Sequence, residues 1–198
     1  MQQNQTSMKR LLFLAFLFLN ATLNAQKPCD FNTNVTDSLG SYKSTKDYLV
    51  YEKNFGGSAS YIFNSIVVSD GMPTLQVQFI EKSFDFIKAK CLDKNSKIYF
   101  QLVNGKIVTL LHIDEQVCGS MVRDDKGMNN RIMTGHFMFR KEDYQNLKTS
   151  PVSFMRIKYG SESVDYVMKK SFKAELDGLY YDPENYFINY FHCIDDLN

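Results

Sequence analysis

The sequence predicts an α+β fold in which antiparallel strands dominate, arranged as a meander of hairpins with one short helix and a C-terminal helix. Two turn dipeptides, Asp70-Gly71 and Asn104-Gly105, each separate two strand-like runs. The end of the chain instead repeats apolar residues at helical spacing. Together these patterns favour a β-rich domain with few helices.

The Asp70-Gly71 hairpin is the better specified of the two. Both residues tolerate the positive φ angles of a type I′ turn, so a two-residue turn fixes which residues pair. The predicted pairs place Ile62 opposite Phe79, Asn64 opposite Val77, and Ile66 opposite Leu75. One face of the hairpin then becomes apolar, and a slip of one residue would turn that face outward. The preceding strand, 47–55, is expected to pair through Gly56-Gly57.

The same reasoning applied to Asn104-Gly105 predicts a second hairpin between 97–103 and 106–114. A two-residue turn there pairs residues whose numbers add to 209. The predicted pairs are Ile98 with Leu111, Phe100 with Thr109, and Leu102 with Ile107. The opposite face is only partly polar, and we expect it to be partly covered.

The remaining elements follow in order along the chain. A strand is expected over 131–140, a short helix over 141–148, and a hairpin of 152–159 with 163–168. In the last helix, Asp182 is a candidate N-cap and Pro183 suits the first helical position. Its buried face is predicted to carry four residues at i, i+3, i+4 and i+7 spacing: Phe187, Tyr190, Phe191 and Ile194.

The first 25 residues have the pattern of a secretory signal peptide. Lys9 and Arg10 precede nine apolar residues, 11–19, and a more polar stretch ends at Ala25. Nine apolar residues are too few for a membrane-spanning helix, which needs roughly 20. We therefore expect cleavage after Ala25, a single exported domain over 26–198, and a periplasmic or secreted location.

The composition of the exported part excludes several partners. Loss of Lys9 and Arg10 leaves 21 basic against 22 acidic residues, a net charge of −1. No positive field is therefore expected to attract nucleic acid. No later apolar run reaches the roughly 18 residues of a transmembrane segment.

The four cysteines all lie in the predicted exported part, which favours two disulfides out of three possible pairings. Cys91 and Cys118 have numbers that add to 209, so an extended second hairpin would place them opposite each other. That pairing leaves Cys29 with Cys193. No C-x-x-C spacing suggests zinc or thioredoxin-like redox chemistry.

No catalytic motif is present in the sequence. A nucleophile elbow, a Walker loop and a dinucleotide-binding glycine pattern are all absent. The three histidines, His112, His136 and His192, lack metal-ligand spacing and are interpreted as surface residues. One acidic group near the C-terminus is a candidate for acid–base chemistry: Asp177, Asp182 and Glu184. No cofactor and no metal are expected.

Short segments of the chain resemble small uncharacterised exported proteins of Bacteroidota. The similar segments are the signal end 23–26, the hairpin 97–106, and the residues 141–147 with 155–157. The resemblance implies an exported domain in a Gram-negative envelope, but it carries no activity and no site residues.

The leading functional hypothesis is a non-catalytic exported or envelope module that binds a protein or cell-envelope partner, or supports an assembly. The alternative is a small secreted hydrolase. An exposed apolar face on the sheet favours the first hypothesis, and a deep polar cleft with convergent carboxylates or a histidine favours the second.

Overall fold

The computed structural model describes residues 27–38 and 40–197, with side chains placed as far as Ile194. The predicted signal peptide, 1–25, lies outside the described residues. No helix among the described residues combines the length and the apolar character needed to cross a membrane.

Antiparallel strands make up most of the described chain, as predicted. Two α-helices, each of less than two turns, are α1 (Tyr144–Thr149) and α2 (Tyr186–Tyr190). The strands in chain order are β1 (Phe31–Asp37), β2 (Gly40–Thr45), β3 (Tyr48–Phe55), β4 (Ser58–Ser69), β5 (Met72–Ser83), β6 (Lys97–Leu102), β7 (Ile107–His112), β8 (Ser120–Arg123), β9 (Asn129–Met138), β10 (Val152–Lys158), β11 (Ser163–Val167), β12 (Phe172–Lys173) and β13 (Tyr180–Tyr181). Every strand pair is antiparallel, which confirms the β-rich α+β prediction.

Eleven strands form one sheet; nine of them follow the order β1-β2-β4-β5-β9-β7-β6-β10-β11, and β3 and β8 lie off this path. The long strand β4 is paired on one side by β2 and β3 in succession, and β9 is paired in the same way by β7 and β8. The strand β9 therefore lies between β5 on one side and β7 and β8 on the other. The two short strands β12 and β13 form a separate sheet.

The predicted Asp70-Gly71 hairpin is confirmed residue by residue. The pairs Ile62–Phe79, Asn64–Val77 and Ile66–Leu75 all occur in the β4–β5 ladder. Asp70 has φ 49° and Gly71 has φ 78°, the positive angles that a type I′ turn needs.

The predicted pairing of the Asn104-Gly105 hairpin is wrong by one residue. In the β6–β7 ladder Ile98 pairs with Leu110, and Phe100 pairs with Val108. The loop holds three residues, because the Leu102 amide donates to the Lys106 carbonyl while the Gly105 amide donates to the Leu102 carbonyl. Gly105 has φ 84°, and Asn104 is not among the described residues with positive φ. A type I turn followed by a left-handed glycine therefore replaces the expected type I′ turn.

Both expected cysteine pairs occur as disulfides, Cys29–Cys193 and Cys91–Cys118. The Cys91–Cys118 pair does not continue the β6–β7 ladder, which has the shifted pairing. It adjoins a separate bridge in which Leu92 and Val117 exchange both backbone hydrogen bonds. The chain segments between the Leu92–Val117 bridge and the hairpin accommodate the one-residue difference in strand pairing.

The sheet curls around one main core. The Tyr51 ring of β3 contacts the Tyr166 ring of β11 at 4.9 Å between centroids, so strands far apart in the sheet order meet across the interior. Phe187 of α2 lies edge-on to Phe100 of β6, with centroids 5.1 Å apart. The C-terminal helical segment therefore covers part of the same core.

The C-terminal segment is helical as predicted, but it differs from the expected helix in two respects. The α-helical turns of α2 are flanked by 3₁₀ segments, Pro183–Asn185 before and Phe191–Leu197 after. The Asp182 side chain makes no capping hydrogen bond. Its carboxylate instead contacts Lys27 and Asn189, which accounts for the failure of the predicted cap.

Candidate functional site

A cleft lies on the inner face of the sheet. Its polar edge consists of one row of residues that are paired across neighbouring strands. In the ladders, Lys53 pairs with Ser60, Ser60 with Glu81, and Glu81 with Arg131. Directly paired residues in adjacent strands have side chains on the same face. Four strands thus bring two cations, a hydroxyl and a carboxylate to one edge of the cleft.

The next row, two residues further along each strand, forms an apolar floor. It contains Ile62, Phe79 and Met133, which are paired across β4, β5 and β9. All three side chains are buried. Because the period of a strand is two residues, the polar row and the apolar row necessarily share one face.

Two tyrosines form the opposite wall of the cleft. Tyr159 follows β10 and Tyr166 lies in β11, and their hydroxyl oxygens are 3.4 Å apart. Burial raises the pKa of Tyr166 to about 12 and raises that of Tyr159 further, with nearby acidic groups adding to both effects. Both hydroxyls are therefore neutral at physiological pH. Only one of them can donate to the other, so one hydroxyl proton remains available to a ligand.

The charges around the cleft sum to a positive value. Lys53, Lys90, Arg131 and Glu81 all line it, which gives three cations and one anion. Lys90 is paired with Glu81 at 3.0 Å. Arg131 donates to backbone carbonyls, among them that of Ile87, and these neutral acceptors leave its charge uncompensated. The cleft therefore favours an anionic group at its mouth.

The cleft is small, with a volume of about 190 Å³. Pockets that hold drug-sized ligands measure roughly 300–1,000 Å³. The available space suits a ligand of a few non-hydrogen atoms, or the head of a longer one that extends into solvent.

Each of the predicted acidic residues takes part in hydrogen bonds within the fold. Asp177 accepts hydrogen bonds from the Tyr181 hydroxyl and the Leu179 amide. Asp182 contacts Lys27 at 3.5 Å and Asn189 at 3.2 Å. Glu184 donates its backbone amide to the Lys169 carbonyl at the start of the helical segment. None of the three lines the cleft described above.

Two histidines that were interpreted as surface residues meet around a carboxylate that the sequence reasoning missed. Asp114 Oδ2 is 3.0 Å from His136 Nδ1 and 3.7 Å from His112 Nε2. It also accepts from the His136 backbone amide at 2.7 Å. This carboxylate supplies a partner for a backbone amide of β9 that lies between the parts paired to β7 and β8. The sequence signal that could have indicated the contact between His112 and Asp114 is their His-x-Asp spacing, because residues two apart in a strand share one face.

This histidine cluster presents no free base to a substrate. The His112 side chain has 0% exposure, and its Nδ1 bonds the Asp93 carbonyl. Burial lowers the pKa of His112, and the nearby Asp114 carboxylate only partly opposes that effect. Both ring nitrogens of His136 are engaged, by Asp114 and by Gln76. The cluster joins strands and offers no open catalytic position.

In the part of the chain that the structure describes, only one group of three metal-ligating side chains has ligand atoms that all lie within 4.8 Å of one another. It consists of Cys29, His192 and Cys193, and its two cysteines form a disulfide. The histidine was interpreted as a surface residue, although it contacts both sulfur atoms.

Comparison of the chain with protein-family models, with curated proteins and with solved structures finds no match.

Proposed function

We propose that this protein is an exported, non-catalytic binding module that takes a small anionic ligand with an apolar body into the cleft lined by β3, β4, β5, β9 and β11. The observation that carries this proposal is the row of Lys53, Ser60, Glu81 and Arg131 above an apolar floor. A carboxylate at the mouth meets uncompensated positive charge, while an alkyl or aryl body contacts Phe79 and Met133.

Export supports the proposal through the cysteines. Two disulfides persist in oxidising compartments such as the periplasm or the extracellular space, and are rare in the cytosol. The predicted signal peptide points to the same compartments. A binding protein in this location would meet ligands that arrive from outside the cell or from the envelope.

The contacts of the titratable groups favour binding over hydrolysis. A hydrolase needs an accessible base or nucleophile placed beside its substrate. Glu81 is the one carboxylate that lines the cleft, and it is already paired with Lys90. The cleft also contains no histidine among its lining residues.

The experiment is a calorimetric titration of the oxidised, processed protein with straight-chain carboxylates of graded length and with the matching primary alcohols. We expect the carboxylates to bind and the alcohols to bind at least about tenfold more weakly, since hydrogen bonds to charged groups are worth roughly 1.5–3 kcal/mol. The affinity should fall as salt is added, because the cations at the mouth are accessible to solvent.

Two variants with matched controls locate the site. Lys53→Gln and Tyr166→Phe are expected to weaken carboxylate binding, whereas Lys82→Gln and Tyr99→Phe are expected to leave it unchanged. Lys82 neighbours Glu81 in β5 and therefore faces the opposite side of the sheet. The proposal is contradicted if acids and alcohols bind with equal affinity, or if K53Q and K82Q lose the same amount of carboxylate affinity. Turnover of the matching esters that is lost in Glu81→Gln would instead support the hydrolase.

A further inference from the structure

A histidine lies against the disulfide that joins the N-terminal segment to the C-terminal helical segment. His192 Nε2 is 3.1 Å from Cys29 Sγ and 3.8 Å from Cys193 Sγ. Cys193 is buried, and Cys29 is partly exposed. His192 and Cys193 are adjacent in sequence, and both contact Cys29. Cys29 lies 163 residues before His192, in the segment just before β1.

No other structural role accounts for this imidazole. Its Nδ1 is buried and has no hydrogen-bond partner in the described structure. The side-chain hydrogen-bond contacts of the ring among the described residues are those with the two sulfur atoms. A polar ring placed this way contributes little to folding, because a buried, unpaired nitrogen costs free energy. The placement is therefore better explained by chemistry at the sulfur atoms.

The two nitrogen–sulfur distances around His192 are close to those of a tetrahedral zinc site, while the two sulfur atoms must separate before a metal can bind. With Zn–S of about 2.3 Å and Zn–N of about 2.0–2.1 Å, tetrahedral geometry requires about 3.6 Å between nitrogen and sulfur. The observed distances of 3.1 and 3.8 Å bracket that value. Tetrahedral geometry also requires about 3.8 Å between the two sulfur atoms. The Cα atoms are 5.6 Å apart, so side-chain rotation can provide this separation once the S–S bond is open.

We propose that Cys29, Cys193 and His192 form a redox-gated Zn²⁺ site, closed as a disulfide and able to bind the metal when reduced. A dithiol reductant supplies two electrons and two protons through thiol–disulfide exchange, so the S–S bond breaks, two thiols form, and the reductant becomes a disulfide. Zn²⁺ then displaces the two thiol protons. Two thiolates and a neutral imidazole compensate the metal charge fully, and the partly exposed side of Cys29 leaves the fourth position to water, as in open zinc sites.

Metal binding to the full processed chain tests this proposal, with Co²⁺ as a spectroscopic probe for Zn²⁺. Protein reduced with a dithiol, then freed of the reductant under anaerobic conditions, is titrated with Co²⁺ and competed with Zn²⁺. We expect one Co²⁺ per chain, a thiolate-to-cobalt charge-transfer absorption, and displacement by Zn²⁺. The oxidised protein is expected to bind neither metal at this site.

Variants separate this site from the other cysteines. The Cys91→Ser/Cys118→Ser pair is expected to keep the cobalt spectrum, and Cys29→Ser/Cys193→Ser is expected to lose it. His192→Ala should retain part of the charge-transfer band and bind Zn²⁺ at least about tenfold more weakly, since one of three ligands is gone. Circular dichroism of reduced, metal-free wild type shows whether the fold survives without the cross-links, and Cys29→Ser/Cys193→Ser is compared with that state.

Four results would overturn the proposal. The first is Co²⁺ binding to reduced wild type that is no tighter than binding to Cys29→Ser/Cys193→Ser. The second is an unchanged affinity and spectrum in His192→Ala. The third is loss of the charge-transfer band in Cys91→Ser/Cys118→Ser, which would assign the metal to the other cysteine pair. Unfolding of the reduced, metal-free chain with no refolding on addition of Zn²⁺ would also contradict a metal site formed by the native fold.

Discussion

Replacement of Gly135 by alanine is expected to destabilise the domain, although alanine is normally the better residue within a strand. Gly135 lies in β9 on the buried face of the sheet, and its φ is not in the left-handed region. Backbone conformation alone would therefore make alanine more stable by about 0.5–1 kcal/mol. A methyl group at this position, however, would lie 2.5 Å from Leu92 Cδ1 and 3.1 Å from His112 Nε2.

The neighbours of Gly135 cannot move into solvent. Leu92 has 0% exposure, and the His112 side chain is equally buried. Overpacking in such a core costs about 1–3 kcal/mol. After the backbone gain is subtracted, the free energy of unfolding should fall by about 1 kcal/mol, and by about 2.5 kcal/mol at most. For a domain of this size each kcal/mol shifts Tm by about 2–4 °C.

Thermal and urea unfolding of the oxidised protein measure this change, and a double-mutant cycle assigns it. Leu92→Ala removes the methyl group that Gly135→Ala would meet, so the cost of Leu92→Ala should be at least about 1 kcal/mol smaller in the Gly135→Ala background. Stabilisation by Gly135→Ala would refute the packing described here. An equal cost of Leu92→Ala in both backgrounds would show that the two side chains do not meet.

The remaining predictions concern titration and cross-linking. Burial lowers the pKa of His112, so His112 binds a proton at a higher pH in the unfolded chain than in the folded chain. The free energy of unfolding should therefore fall as pH drops below about 6.5, by up to about 1.4 kcal/mol per pH unit. His112→Gln should flatten this dependence in urea unfolding measured between pH 5 and 8, and an unchanged slope would contradict a neutral, buried His112. Removal of the Cys29–Cys193 disulfide, which spans 164 residues, should cost about 5 kcal/mol, against about 3.5 kcal/mol for Cys91–Cys118, which spans 27. Alanine double variants compared by urea unfolding test this order, and a larger loss at the short loop would reverse it.

The two turn dipeptides show how far the sequence predicts the fold. At Asp70-Gly71 the turn type and the apolar face agree on one pairing, and that pairing is confirmed. At Asn104-Gly105 both candidate faces contain apolar residues, so the pattern does not penalise a shift of one residue. A three-residue loop then places Val108 and Leu110 on the buried face instead of Thr109. The sequence predicts the hairpin, and packing against the rest of the sheet decides the pairing.

The candidate site depends on pairing between strands that are distant in sequence. Glu81 and Arg131 are neighbours because β9 pairs with β5. No turn dipeptide in the sequence indicates that pairing. The placement of β9 also brings His136 to Asp114. Local turn chemistry and periodicity predict strands and hairpins, but they carry no information on which hairpins pair. The row of charges at the cleft was therefore not predictable from spacing.

The assignment of the cleft as the ligand site is tested most directly by NMR of the nitrogen-labelled, oxidised protein titrated with the tightest-binding carboxylate. The amide shifts that change most should belong to the cleft, including those of Ser60, Glu81 and Tyr166. If the largest changes instead surround Gln101 and Phe154 on the outer face of the sheet, or if no amide responds, the cleft is not where this protein binds an anion.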